Sequence, residues 1–599
     1  MTRHLIPSLL VIGTLALSGC SQPSTSGAGS APAPVNLSTT PPSPDPRVGL
    51  KPGLTDAGVA AWNMRLVSNV PSPAGFETAS NSDLAFRGNY VFQGNYNGFA
   101  VWDMSNPSRP KLTKQFLCPA SQSDVSVFGN LLFVSGEGLT GRLDCGPQGV
   151  QHAVSHDRLR GIRIFDATDV AKPKYVANVQ TCRGSHTHTV VTDPKDKDHV
   201  YIYVSGSAGV RPADELPGCS ALMPEEDANS ALFRIEVIKV PLAAPEQAKI
   251  VSSPRIFQDL AAPPRHADPV DSADAAQAAA RPPRAPRPGA GRGPTQCHDI
   301  TVYPAIGLAG GACGGYGLLL DISNAANPAR IGAVADSNFS FWHSATFNND
   351  GSKILFTDEW GGGSAPRCRA TDKYEWGANA IFTLTNRRME FKSYYKMPAA
   401  QTSLENCVAH NGSLVPIPGR DVMVQGWYQG GISVFDWTDP AKPVEIAYYD
   451  RGPVDATRLV SGGSWSVYWY NGYLVSSEIA RGLDIFELAP SGFLTRNEID
   501  AAKTVRFEYL NAQEQPKMVW PASFALARAY LDQLDRGRGL ASEKITTARA
   551  ELVRAETLSG QARRDALRQL ATRLHADARG AADEPKAHAA ATAVGDLAR

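Results

Sequence analysis

The chain has 599 residues, 43% of them apolar, and its 58 Lys and Arg are balanced by 58 Asp and Glu. Zero net charge excludes nucleic acid or an anionic membrane surface as the main partner, since both select a basic excess, and the apolar content excludes wholesale disorder. With 53 Gly and 44 Pro, many short turns suit an all-β unit better than a helical bundle.

At the N-terminus Arg3 and His4 precede an apolar run, Leu5 to Leu17, that ends in Ser18-Gly19-Cys20. The run is too short to span a bilayer, and the layout predicts a secretory signal peptide over 1–19. Its ending resembles the bacterial lipobox, which implies acylation of Cys20 as the mature N-terminus. Ser at position 21 rather than Asp implies the outer membrane by the same resemblance. The expected location is therefore the cell envelope, with a lipid anchor as the link to the membrane. Residues 20–55, rich in Ser, Pro, Gly and Ala, predict a flexible tether.

Between 58 and 490 an imperfect repeat organises the chain. One piece runs Gly, apolar, any, apolar, aromatic, acid at 98–103, 161–166, 431–436 and 482–487, with a shortened copy at 317–321. Alternation at period two predicts strands. Four copies continue into a turn with Asn or Asp and then a Pro, at Pro110, Pro173, Pro328 and Pro443. Asn and Asp tolerate the turn, and Pro opens an outer strand where its missing N–H costs little. The acids Asp166, Asp321 and Asp436 are accordingly assigned to turn capping.

Another strand opens each unit near Asp83, Asp124, Thr187, Asp299, Ser344, Asn411 and Ser466. Seven units of this kind predict an all-β fold, a seven-bladed β-propeller. The seventh lacks an outer strand after Glu487, and Met64–Val70 is similar to the outer strands at 174–179 and 329–334. This N-terminal strand is therefore expected to close the ring. The hexapeptides at 161–166 and 431–436, each followed by Asp-x-Ala-Lys-Pro, resemble the LVIVD-repeat propeller proteins of the bacterial envelope. That resemblance covers about 60–490 and implies fold and location rather than chemistry.

Residues 261–295, with their Pro- and Arg-rich run, predict a disordered insertion. Apart from Cys20 the cysteines number eight, and an even count in an oxidising compartment predicts disulfides. Neighbours in sequence are expected to pair in order, each pair stapling one long loop. From 495 to 578 Ala, Arg, Leu and Glu dominate, and helical periodicity over 519–535, 541–557 and 561–577 predicts a small helical extension. Residues 579–599 are expected to be a polar tail.

Aligning the seven opening strands gives one chemical column. Blades three to six place His186, His298, His343 and His410 there, while blades one, two and seven hold Ser82, Ser123 and Trp465. Only 12 His occur in the chain, so four in register point to a ring of imidazoles on the axis. His188, two residues after His186, is placed one layer deeper on the same face. Neutral imidazoles suit Zn, Cu, Fe and Ni. Glu137, Glu359 and Glu478 end second strands and are expected to accept the outer ring N–H of the histidines. Trp342, Trp360, Trp427, Trp465 and Trp469 fall near the same rim, and His152 with His156 precede Asp157 in a loop; packing and solvated surface are the assignments for these.

Four His with outer Glu on seven blades is similar, in architecture only, to the carotenoid-cleaving oxygenases (iron) and the selenium-binding, methanethiol oxidase family (copper). The expectation is one transition metal ion, iron or copper ahead of zinc, and an oxidase or oxygenase acting on a small substrate. The alternative is a non-catalytic scaffold that binds envelope proteins or surface polymers. No GxSxG elbow, Walker loop or HExxH occurs, which leaves hydrolase and nucleotide-binding readings without support.

Overall fold

The computed structural model describes residues 40–265 and 293–599. The expected signal peptide, Cys20 and most of the expected 261–295 insertion lie outside the described residues. Each repeat folds into an antiparallel sheet, and seven such sheets form the blades of a propeller. Their inner strands, in order, are Asn81–Arg87, Val125–Phe128, His188–Asp193, Ile300–Tyr303, Trp342–Phe347, Gly412–Val415 and Ser464–Tyr470. Each blade is covered on both faces by its neighbours, so both parities of a strand are mostly apolar, as in the buried run Leu131-Leu132-Phe133-Val134. That double burial is why the repeats lack a polar face.

The repeated motif has a physical reason at each end. Gly98 and Gly161 hold positive φ, and a Cβ there would come within 2.0 Å of the Phe116 and Val179 carbonyl oxygens on the outer strand; only Gly permits that approach. At the other end Asp103, Asp166, Asp321 and Asp436 accept the backbone N–H two residues on, at 2.8–2.9 Å, which fixes the turn. Ring closure follows the expected plan. Met64–Val70 pairs antiparallel with Gly482–Leu488, Met64 opposite Leu488, and completes blade seven.

Three segments depart from expectation. The end of the supposed tether is docked rather than free: Arg47, 2% exposed, forms two-pronged pairs with both Glu445 and Asp45, with its guanidinium over Tyr448. Val59–Trp62 then adds a fifth strand to the outer edge of blade six. At the far C-terminus, residues 579–599 are not a tail. A helix, Glu584–Asp596, buries Ala587, Ala590, Ala591 and Val594, whose helical spacing escapes a hydropathy reading because Ala is only weakly apolar.

The helical extension comprises α1 (Arg496–Ala502), α2 (Phe524–Arg536), α3 (Ser542–Thr557), α4 (Gly560–Ala578) and α5, the Glu584–Asp596 helix. Helices α2 to α5 share one core built on Leu531, Leu552, Leu567, Leu570 and Leu574. Buried Glu498 of α1 ties it to the propeller through Arg420 and to α2 through Arg536 and Gln533.

Between α1 and α2, residues 507–520 cross the end of the channel where the inner strands finish. Tyr509–Asn511 adds to the inner edge of blade one. The segment also bonds to Asn471 of blade seven, Val127 of blade two, Val302 of blade four, Phe347 of blade five and Pro416 of blade six. The opposite end carries the disulfides, which pair in sequence order: Cys118–Cys145, Cys182–Cys219, Cys297–Cys313 and Cys368–Cys407. All four lie at the end where the inner strands begin.

Candidate metal centre

The four histidines of the column stand side by side at that disulfide-rimmed end. Ring centroids are 4.7 Å apart for His186 and His298, 3.9 Å for His298 and His343, and 4.1 Å for His343 and His410. Adjacent blades bring them this close because each ring projects from the start of an inner strand, where the strands converge on the axis.

Three of the four imidazoles are held from outside through Nδ1. His186 Nδ1 meets Glu137 Oε1 at 2.5 Å, His298 Nδ1 meets Asp299 Oδ1 at 2.9 Å, and His410 Nδ1 bonds the Trp465 carbonyl. An acceptor at Nδ1 fixes the tautomer and leaves Nε2 with its lone pair. The Nε2 atoms of His343 and His410 both face Glu359, each 3.7 Å from one of its carboxylate oxygens. Two sets meet the spacing of ligands around one ion: His343, Glu359 and His410, and His298, Asp299 and His343.

Electrostatics favour the neutral form in two of the four rings. Burial, reinforced by the neighbouring imidazoles, holds His343 well below its ordinary range and His410 down to about 3. His186 goes the other way: burial opposes its charge, but Glu137 outweighs it and raises the pKa. Burial likewise pushes the Glu359 carboxyl up. Glu359 Oε1 also accepts the Tyr428 hydroxyl at 2.5 Å. Tyr428 holds a φ of 53° and rests on the His410 ring at 4.6 Å. Gly363 clears the space, since a Cβ there would lie 2.4 Å from the Tyr428 hydroxyl and 2.7 Å from Glu359 Oε1.

Above the histidines opens a cavity of about 580 Å³, with Tyr96, Phe341, Tyr428 and Trp465 among its walls. Among the described residues no Lys or Arg lines it; its acids are Glu137 and Glu359.

The sequence column therefore assembles His186, His298, His343 and His410 in one place, with Glu137 on His186. Glu359 stands differently from the expected outer acceptor, on the Nε2 side of two rings. Glu478 meets no histidine. Arg481 lies three residues on and takes its carboxylate, together with the N–H groups of Gly463 and Ala480. His188 is a packed core residue: its Nδ1 bonds Ser135 at 2.8 Å, its ring meets Phe133, and burial lowers its pKa to about 3. Two participants were not singled out as such, Asp299 and Tyr428. Asp299 follows His298 directly in sequence, and that adjacency was a usable signal; Tyr428 depends on a strained turn that no periodicity announces.

Residues 80–117, which contain blade one, match the LVIVD repeat family model, in line with the resemblance drawn from blades two and six. No curated relative matches the chain in sequence. Solved structures similar to it include a putative 6-phosphogluconolactonase of Bacteroides fragilis, 10% identical, covering 68% of this chain and 89% of its own, with a TM-score of 0.37. The periplasmic gluconolactonase of Pseudomonas aeruginosa is 12% identical over 68% of this chain and 97% of its own, with a TM-score of 0.39. Hydrazine synthase of Kuenenia stuttgartiensis is 11% identical over 67% and 92%, also at 0.39. Likeness this distant says nothing about chemistry.

Proposed function

We propose that the protein is a metal-dependent oxidase or oxygenase of the cell envelope, acting on a small organic molecule that enters the cavity above the histidines. The observation that carries this reading is the outward engagement of Nδ1 in His186, His298 and His410, together with the Nε2 atoms of His343 and His410 both facing Glu359. The donor set fits a first-row transition ion, iron or copper ahead of zinc. His343 Nδ1, buried without a hydrogen-bond partner, and the paired 3.7 Å approaches to Glu359 suit a group that the side chains alone do not satisfy. His298, His343 and His410 with Glu359 would hold the ion, and His186 completes the ring. When bound, the ion supplies Lewis acidity or one-electron exchange with O₂. The chain's own part is to fix tautomers through Glu137, Asp299 and the Trp465 carbonyl, and to hold the Glu359 carboxylate through the Tyr428 hydroxyl. Four disulfides support an oxidising compartment, as does the Cys20 lipobox resemblance.

The test is elemental analysis of protein matured in a periplasm, for wild type and for the double variant His343→Ala, His410→Ala. About one equivalent of iron or copper in the wild type and none in the folded variant supports the reading. Absence of metal from both, or equal metal in both, overturns it.

A further inference from the structure

The C-terminal segment does more than cover the far end of the channel. The backbone of Gln513 is clamped to blade four: its carbonyl accepts Val302 N–H at 2.8 Å, and Gln515 N–H donates to the Val302 carbonyl at 2.9 Å. Val302 lies on the inner strand Ile300–Tyr303, which Asp299 immediately precedes. The clamp therefore sends the Gln513 side chain, only 2% exposed, up the channel, where its Nε2 donates to Asp299 Oδ2 at 3.5 Å. The other oxygen of that carboxylate, Oδ1, takes His298 Nδ1. Asp299 is itself buried, and besides these two contacts its carboxylate is reached by the Thr187 side chain.

We infer that Gln513 is a positioning residue for the histidine ring, fixing the Asp299 carboxylate that in turn orients His298, so that the C-terminal extension is part of the site. This rests on the metal-centre reading for its consequence but not for its geometry. The outer partner of a ligating His governs its ring orientation and basicity, and losing such a partner weakens metal affinity 10–100-fold. Acting one bond further out, Gln513 falls at the low end of that range, about tenfold.

Two measurements on the full-length protein separate the possibilities. In metal-free protein labelled with ¹⁵N-histidine, Gln513→Leu should shift or broaden the His298 Nδ1–H resonance, while Gln515→Ala should leave it in place. Gln515 belongs to the same segment and bonds blade five through Phe347, so it reports general loosening. In titrations with the ion identified by elemental analysis, Gln513→Leu should weaken binding about tenfold and Gln515→Ala should not. An unmoved resonance in Gln513→Leu, or an equal shift in both variants, overturns the inference. If the resonance moves but no metal ever binds, the metal-centre reading fails and the positioning role stands.

Discussion

The two ends of the propeller axis are finished in opposite ways. At one end the inner strands begin, and loops held by four disulfides surround an open cavity floored by imidazoles. At the other end the strands finish, and a single segment, 507–520, is laid across them by backbone and amide hydrogen bonds. Covalent staples thus secure the open end, while noncovalent pairing closes the other. An open mouth lacks the mutual burial that would rigidify its loops, and crosslinks restrict them without filling the cavity.

This contrast can be broken from either side, and the expected effects are graded. Removing a rim staple is the largest. Cys368→Ser with Cys407→Ser releases a loop with a sequence separation of 39 and should cost about 3 to 4 kcal/mol in denaturant unfolding. It should also weaken metal binding, because Cys368 lies in the loop that leaves Glu359 and Cys407 precedes His410. Full stability with unaltered metal affinity would show that the rim does not depend on its staples.

At the closed end the lever is pH. Glu514 is buried between Tyr509 and Asn511, and burial pushes its carboxyl up from 4.5 to about 7. A raised carboxyl pKa favours the folded state while the group is protonated. Its contribution is therefore complete below pH 4.5 and lost as pH rises through 7, about 3 kcal/mol in all. Glu514→Gln should flatten that slope and stabilise the protein above pH 7, with the metal content of the open end unchanged. Urea melts at pH 5 and pH 8 decide it, and a slope identical to wild type sinks the assignment.

Asn511→Ala gives the smallest effect of the three. Asn511 receives the Val127 N–H at 2.7 Å and donates to its carbonyl at 2.9 Å, completing the edge of blade two. Truncation leaves both backbone groups unpaired, for a loss of about 2 kcal/mol in the same melts. Equal stability would mean that water replaces the amide.

The sequence was most legible where the physics repeats. Blade count and the closing strand follow from units that recur, and the histidine column follows from aligning them. What escaped was decided by single neighbours. Glu478 sits in the same column as Glu359, yet Arg481 captures it, so position in the repeat did not determine partner. Tyr509–Asn511 is too short to show alternation, and its place is set by an open inner edge supplied by blade one. Helix α5 hid behind alanine, and the docked stretch around Arg47 hid behind a composition rich in Pro and Ser. Each became visible only with the partner surface in hand.

The closure of blade seven also orders events during synthesis. Met64–Val70 leaves the ribosome among the first strands, but its partner, Gly482–Leu488, belongs to the last. Until then the early strand has an open edge and no sheet to join, and the other blades stack in an unclosed arc. The ring can shut only when translation is nearly complete, and 507–520 can bridge the blades only afterwards. A pairing of such long sequence separation is slow to form and leaves an edge open to other chains. In a nascent or exported chain, this blade is where holding factors and premature aggregation would compete.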